Sequence, residues 1–94
     1  MPDATPTVFL IDDDQAVRDA VGLLLQASGL AVETFASATD FLDAGVVQRP
    51  GCLVLDVRMP GLSGLDLQRQ LQLNGDRIPI IFMTGHGDVP MAIR

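Results

Sequence analysis

The stretch that most narrows what this chain can become is Cys52-Leu53-Val54-Leu55-Asp56, an apolar run without a polar face that ends in a carboxylate. A half-buried strand alternates polar with apolar positions. An unbroken run instead predicts a strand buried on both sides, as in parallel sheets covered by helices. Asp56 then stands at the strand's carboxyl end, beyond which open α/β sheets bind their ligands. An Asp at such a place can equally cap a helix. Pro60, Gly61 and Gly64 read as a loop before the next helix, which moves the cap further along the chain.

A second run, Thr7-Val8-Phe9-Leu10-Ile11, repeats the pattern and ends in Asp12-Asp13-Asp14. Adjacent carboxylates repel one another, so part of this cluster reads as a solvated turn in which Asp14 caps the following helix. Val17, Val21, Leu24 and Leu25 recur at helical spacing until Gly29, giving an amphipathic helix over Gln15 to Ser28. Ala31 to Phe35 alternates and predicts a strand near a sheet edge. Ser37 reads as the cap of a short helix reaching about Val46 and burying Phe41 and Leu42. Leu65, Leu67 and Leu71 mark a third helix, with Gln68, Arg69, Gln70 and Gln72 facing water and Asn74-Gly75 ending it. Ile78 to Met83 is a fourth apolar strand, and Val89 to Ile93 reads as the start of a helix with Pro90 in an early position.

Strands alternating with helices imply right-handed crossovers and a doubly wound parallel α/β sheet, here one domain over residues 1–94. Parallel strands share their carboxyl rim, so Asp12, Asp13, Asp56 and Thr84 fall together. Carboxylates in such a group raise one another's pKa unless a cation joins them. Oxygen-only ligands suit Mg²⁺, whereas a single His (His86) and a single Cys leave zinc without its usual partners. Asp is also an established nucleophile that forms aspartyl phosphates, a role that fits Asp56.

The formal net charge of -6, with no Lys in the chain, argues against direct binding to nucleic acid. No apolar stretch approaches the roughly 20 residues of a membrane span, and Met1 to Pro6 lacks a signal-peptide pattern, so a cytoplasmic location is expected. Cys52 sits inside an apolar run and reads as a core residue.

Leu10-Ile11-Asp12-Asp13-Asp14, Leu55-Asp56-Val57-Arg58-Met59-Pro60-Gly61 with Gly64, and Met83-Thr84-Gly85-His86-Gly87 together resemble the receiver domain of bacterial two-component response regulators, from Val8 to Ile93. The resemblance implies a flavodoxin-like fold with the strand order 2-1-3-4 for the strands present. It implies that Asp56 accepts a phosphoryl group from a sensor histidine kinase. By the same resemblance Asp12, Asp13, Asp56 and the backbone carbonyl of Arg58 hold Mg²⁺, and Thr84 is the switch hydroxyl. Thr84 to Ala92 is similar to the FixJ type, whose full proteins usually end in a LuxR-class DNA-binding domain, a transcriptional output not contained in this sequence.

Receivers normally continue through a fifth strand bearing a Lys and a fifth helix, neither of which is expected here. The sequence therefore reads as a truncated receiver with its fourth strand exposed as an edge beside Ile80, Ile81 and Phe82. Self-association through that edge or through the last helix is the expected consequence. A receiver-like module that is never phosphorylated, acting only through its surface, is the rival reading. A phosphohydrolase of the haloacid dehalogenase type would carry a second acid two residues after its nucleophile, where this chain has Arg58, so the expectation is a signalling domain rather than an enzyme. A nucleotide-binding domain would place a glycine-rich loop after its first strand, where this chain has acids.

Overall fold

The computed structural model describes residues 5–57, 61–83 and 92–93. Four strands, β1 (Thr7–Ile11), β2 (Ala31–Phe35), β3 (Gly51–Asp56) and β4 (Ile80–Met83), pair in parallel. A short β5 (Ala92–Ile93) completes the sheet, in the order β2-β1-β3-β4-β5. Three helices, α1 (Gln15–Ala27), α2 (Ala38–Asp43) and α3 (Gly64–Leu73), make the crossovers.

The unbroken apolar runs are explained by what covers them. Phe9, Ile11, Leu53, Leu55 and Phe82 point to one face, where Phe41 of α2 and Leu67 and Leu71 of α3 bury them. Val8, Leu10 and Val54 point to the other, against Val21 and Leu25 of α1. Alternate residues of one strand thus serve opposite layers, and Thr7, the polar residue that opens β1, is buried with its Oγ1 donating to the Thr5 carbonyl at 3.1 Å. Phe41 is fully buried, with its ring 5.9 Å from that of Phe9 and 5.5 Å, edge-on, from that of Phe35.

The helix ends follow local chemistry. Asp14, Ser37 and Ser63 cap α1, α2 and α3, and at α3 a capping box forms between Ser63 and Asp66. The α2 helix stops at Asp43 rather than near Val46, because Gly45 takes a left-handed φ of 67°. Val46 and Val47 still pack on the core. Leu24, expected on the buried stripe of α1, is 66% exposed, and Gly22 is the residue that α1 buries most deeply. Leu65 of α3 is likewise exposed.

The tail corrects two expectations. Ala92 and Ile93 belong to a strand and not to a helix, and they run antiparallel to β4, with Ile81 opposite Ile93 and Phe82 opposite Ala92. The edge of β4 at these residues is therefore paired within the chain. A single helical turn leaves most of its own backbone groups unsatisfied, whereas pairing with β4 gives the backbone groups of both segments partners. The strand itself starts at Ile80, after Pro79, whose carbonyl accepts from the Leu53 amide at 2.9 Å. Arg58, Thr84, His86 and Pro90 lie outside the described residues.

Candidate functional site

The sheet register brings the acids together. Ile11 lies opposite Leu55, so the next residue of each strand, Asp12 and Asp56, emerges side by side at the carboxyl rim. The Asp12 amide donates to the Phe35 carbonyl at 3.1 Å, which carries the pairing with β2 one residue beyond β1. Asp13 follows at the surface. One carboxylate oxygen each from Asp12, Asp13 and Asp56 lies within 4.8 Å of the others. Asp12 is 4% exposed, Asp56 is half-buried and Asp13 is exposed.

A local network orients Asp12. Its Oδ1 accepts from the Asp14 amide at 2.9 Å, while Asp14 Oδ1 accepts from the Ala16 amide at 2.9 Å to begin α1. Beyond Ile11 the Asp12 carbonyl is taken by Arg18, whose Nη1 donates to it at 2.6 Å. Burial raises the Asp12 carboxyl above its ordinary value of 3.8; the Asp14 amide opposes this, and the charges of Asp56, Asp13 and Asp14 add to it. A cation against these oxygens removes the repulsion that the fold builds in. The donor set is entirely oxygen, with one buried and two more accessible carboxylates, and it fits a hard divalent ion that keeps several waters.

Beside Asp56, the Val57 amide donates to Met83 at 3.1 Å, and the Val57 carbonyl accepts from the Gly64 amide at 3.3 Å. The first turn of α3 is thereby fastened to the end of β3. Gly64 is buried there, where a Cβ would stand 2.6 Å from the Asp56 carbonyl oxygen. Asp12, Asp13 and Asp56 are thus brought together as their positions in the sequence predict. The expected roles of Thr84 and the Arg58 carbonyl fall outside the described residues. Arg18 is the residue near the site that sequence reading missed, and Gly64, read there as part of the loop after Asp56, instead opens α3. Arg18 had a faint signal, a lone base on the first turn of the helix that follows three acids. The contact of Gly64 depends on how α3 lies over β3 and has none.

Residues 8–94 match the family model described as the response regulator receiver domain. The transcriptional regulatory protein FixJ of Azorhizobium caulinodans is 55% identical over 93 residues, covering 99% of this chain and 44% of that protein. The response regulator protein TodT of Pseudomonas putida is 51% identical over 94 residues, covering the whole chain and 41% of that protein. Among solved structures, FixJ-N superimposes with a TM-score of 0.81 at 43% identity, over 96% of this chain and 70% of that one. The response regulator StyR gives a TM-score of 0.84 at 53% identity, over 95% of this chain and 45% of that one. The chain spans less than half the length of these curated relatives. Among the described residues no helix is long and apolar enough to cross a membrane.

Proposed function

The chain belongs to the response regulator receiver domain family, and from that premise we propose that Asp56 is its phosphoacceptor, charged by a histidine kinase in the presence of Mg²⁺. The observation that carries this reading is the convergence of Asp12, Asp13 and Asp56 within 4.8 Å at the carboxyl rim of the sheet. Asp12 and Asp13, with Asp56 and the Arg58 carbonyl, would hold the ion. When bound, Mg²⁺ neutralises charge on the phosphoryl oxygens.

The chain's own residues do the rest. An Asp56 oxygen forms a bond to phosphorus as the bond from phosphorus to the imidazole nitrogen of a phosphohistidine breaks, and that nitrogen leaves with the electron pair and is reprotonated. The metal pair is pre-set by the end of β1, and α3 closes against the Asp56 backbone, so little reorganisation precedes the transfer. Thr84 would then meet the phosphoryl oxygens as the switch hydroxyl. The phosphorylated domain would act on a transcriptional output domain, the arrangement indicated by similarity to a transcriptional regulatory protein. The β4 edge, one of the two expected routes to self-association, is paired within the chain at Ile81 and Phe82 and supplies no contact between copies there.

Incubation with acetyl phosphate and Mg²⁺, followed by intact-mass measurement, tests the proposal. The parent chain gains the mass of one phosphoryl group and Asp56→Asn does not. Equal gain in both removes Asp56 from the mechanism, and no gain in either favours an interaction module that works without phosphorylation.

A further inference from the structure

The Asp12 carbonyl poses a specific question, because it lies just past the last β1 residue and its partner comes from six positions further along the chain. That partner, Arg18, is half-buried at the start of α1, and its own amide donates to the Asp14 carbonyl at 3.0 Å. Its side chain turns back to place Nη1 2.6 Å from the Asp12 oxygen. Arg18 therefore ties both ends of the β1 to α1 connection. Within that closed loop Asp12 is held at its amide by Phe35, at Oδ1 by Asp14 and at its carbonyl by Arg18.

We propose that Arg18 is the positioning residue of the metal pair, fixing the peptide plane that follows Asp12 and hence the direction in which Asp12 and Asp13 present their oxygens. Asp13 is exposed and begins on that plane, so it depends most on the restraint. The inference rests on the reading of Asp12, Asp13 and Asp56 as a Mg²⁺ site. It goes beyond that reading in giving a non-ligand side chain control of metal affinity and metal choice.

Two competing effects of removing Arg18 have opposite signs. Deleting a positive charge beside a cluster of carboxylates makes the site more negative, so simple Coulomb attraction predicts tighter Mg²⁺ binding. Loss of a positioning contact predicts weaker binding, since Mg²⁺ demands near-ideal octahedral geometry, whereas Ca²⁺ accepts flexible coordination. A positioning role therefore lowers affinity for Mg²⁺ more than for Ca²⁺. A general loss of fold lowers both together.

The test is calorimetric titration of the 94-residue chain with Mg²⁺ and separately with Ca²⁺, for the parent, Arg18→Ala, Arg18→Lys and Asp12→Asn, with far-ultraviolet circular dichroism recorded on each sample. Arg18→Ala is expected to weaken Mg²⁺ binding roughly tenfold, the lower end of what loss of an outer-shell partner costs. Ca²⁺ binding should change little, and Arg18→Lys, which retains a donor, should recover part of the Mg²⁺ affinity. Unchanged or tighter Mg²⁺ binding in Arg18→Ala overturns the proposal while leaving the metal site standing. Equal losses for both ions, with reduced helical signal, overturn it in favour of a merely structural role. Absence of Mg²⁺ heat in the parent, matching Asp12→Asn, overturns the metal site and the proposal together.

Discussion

Replacing Gly64 by Ala puts a methyl group into the seam between α3 and the Asp56 backbone. The new Cβ would stand 2.6 Å from the Asp56 carbonyl oxygen, 2.9 Å from Leu55 Cδ1 and 3.2 Å from Phe82 Cε1, all inside the 3.4 Å at which ordinary contact begins. Leu55 and Phe82 are both core residues with nowhere to retreat, and the third neighbour is backbone. Overpacking of this kind costs about 1–3 kcal/mol. The better helical propensity of Ala offsets at most about 1 kcal/mol. Gly64→Ala is therefore expected to lose about 1–2 kcal/mol, which is roughly 4–8 °C of melting temperature per kcal/mol in a domain of this size. Gly22 in α1 is the control, since it is also buried and helical, but its nearest neighbour, Thr34 Cγ2, would be 3.8 Å from a new Cβ. Gly22→Ala should stabilise by about 0.5–1 kcal/mol. The assay is urea denaturation followed by circular dichroism, because the chain has neither Trp nor Tyr. Equal stability changes of the same sign at both glycines would refute the claim that α3 rests directly on the Asp56 backbone.

Asp12 gives a pH prediction. Its folded pKa is raised above the unfolded 3.8, so its contribution to stability is full below that value and is lost as pH rises through the higher folded value. In metal-free melts, the stability of the parent relative to Asp12→Asn should fall from acid to neutral pH, and saturating Mg²⁺ should restore it; a difference that grows with pH contradicts the assigned burial. At the core, Phe41→Ala removes the ring that packs on Phe9 and Phe35 and should cost about 3–5 kcal/mol. That is much of the stability expected of a small domain, so the variant should lose its dispersed amide spectrum by nuclear magnetic resonance near 25 °C. Retention of the native spectrum at unchanged melting temperature would show that the Phe cluster is not the centre of the core.

The parallel layers and the acidic rim were legible because each rests on short-range pattern. An apolar run such as Leu53-Val54-Leu55 states that both faces are covered, and the residue after it must emerge at the rim. Asp12 and Asp56 could thus be assigned to one rim from the residues, because parallel strands share their carboxyl side, whereas the adjacency of their strands was implied by the family resemblance. What was not legible depends on tertiary placement. Ala92 and Ile93 carry no signal distinguishing a helix start from a strand, and the open β4 backbone decides in favour of the strand. Leu24 matched the helical spacing, yet α1 turns Val21 and Leu25 to the sheet and leaves it in water. The reach of Arg18 to the Asp12 carbonyl and the pressure of α3 on the Asp56 carbonyl are made by groups whose sequence types say nothing about their partners.

The central claim is that Asp56, and neither of the acids beside it, accepts the phosphoryl group. Borohydride reduces an aspartyl phosphate to homoserine, leaving unmodified carboxylates as they are. After phosphorylation with acetyl phosphate and Mg²⁺, reduction and peptide mass sequencing, homoserine is expected at position 56, with Asp retained at 12 and 13. Homoserine at 12 or 13, with Asp still at 56, would contradict the account.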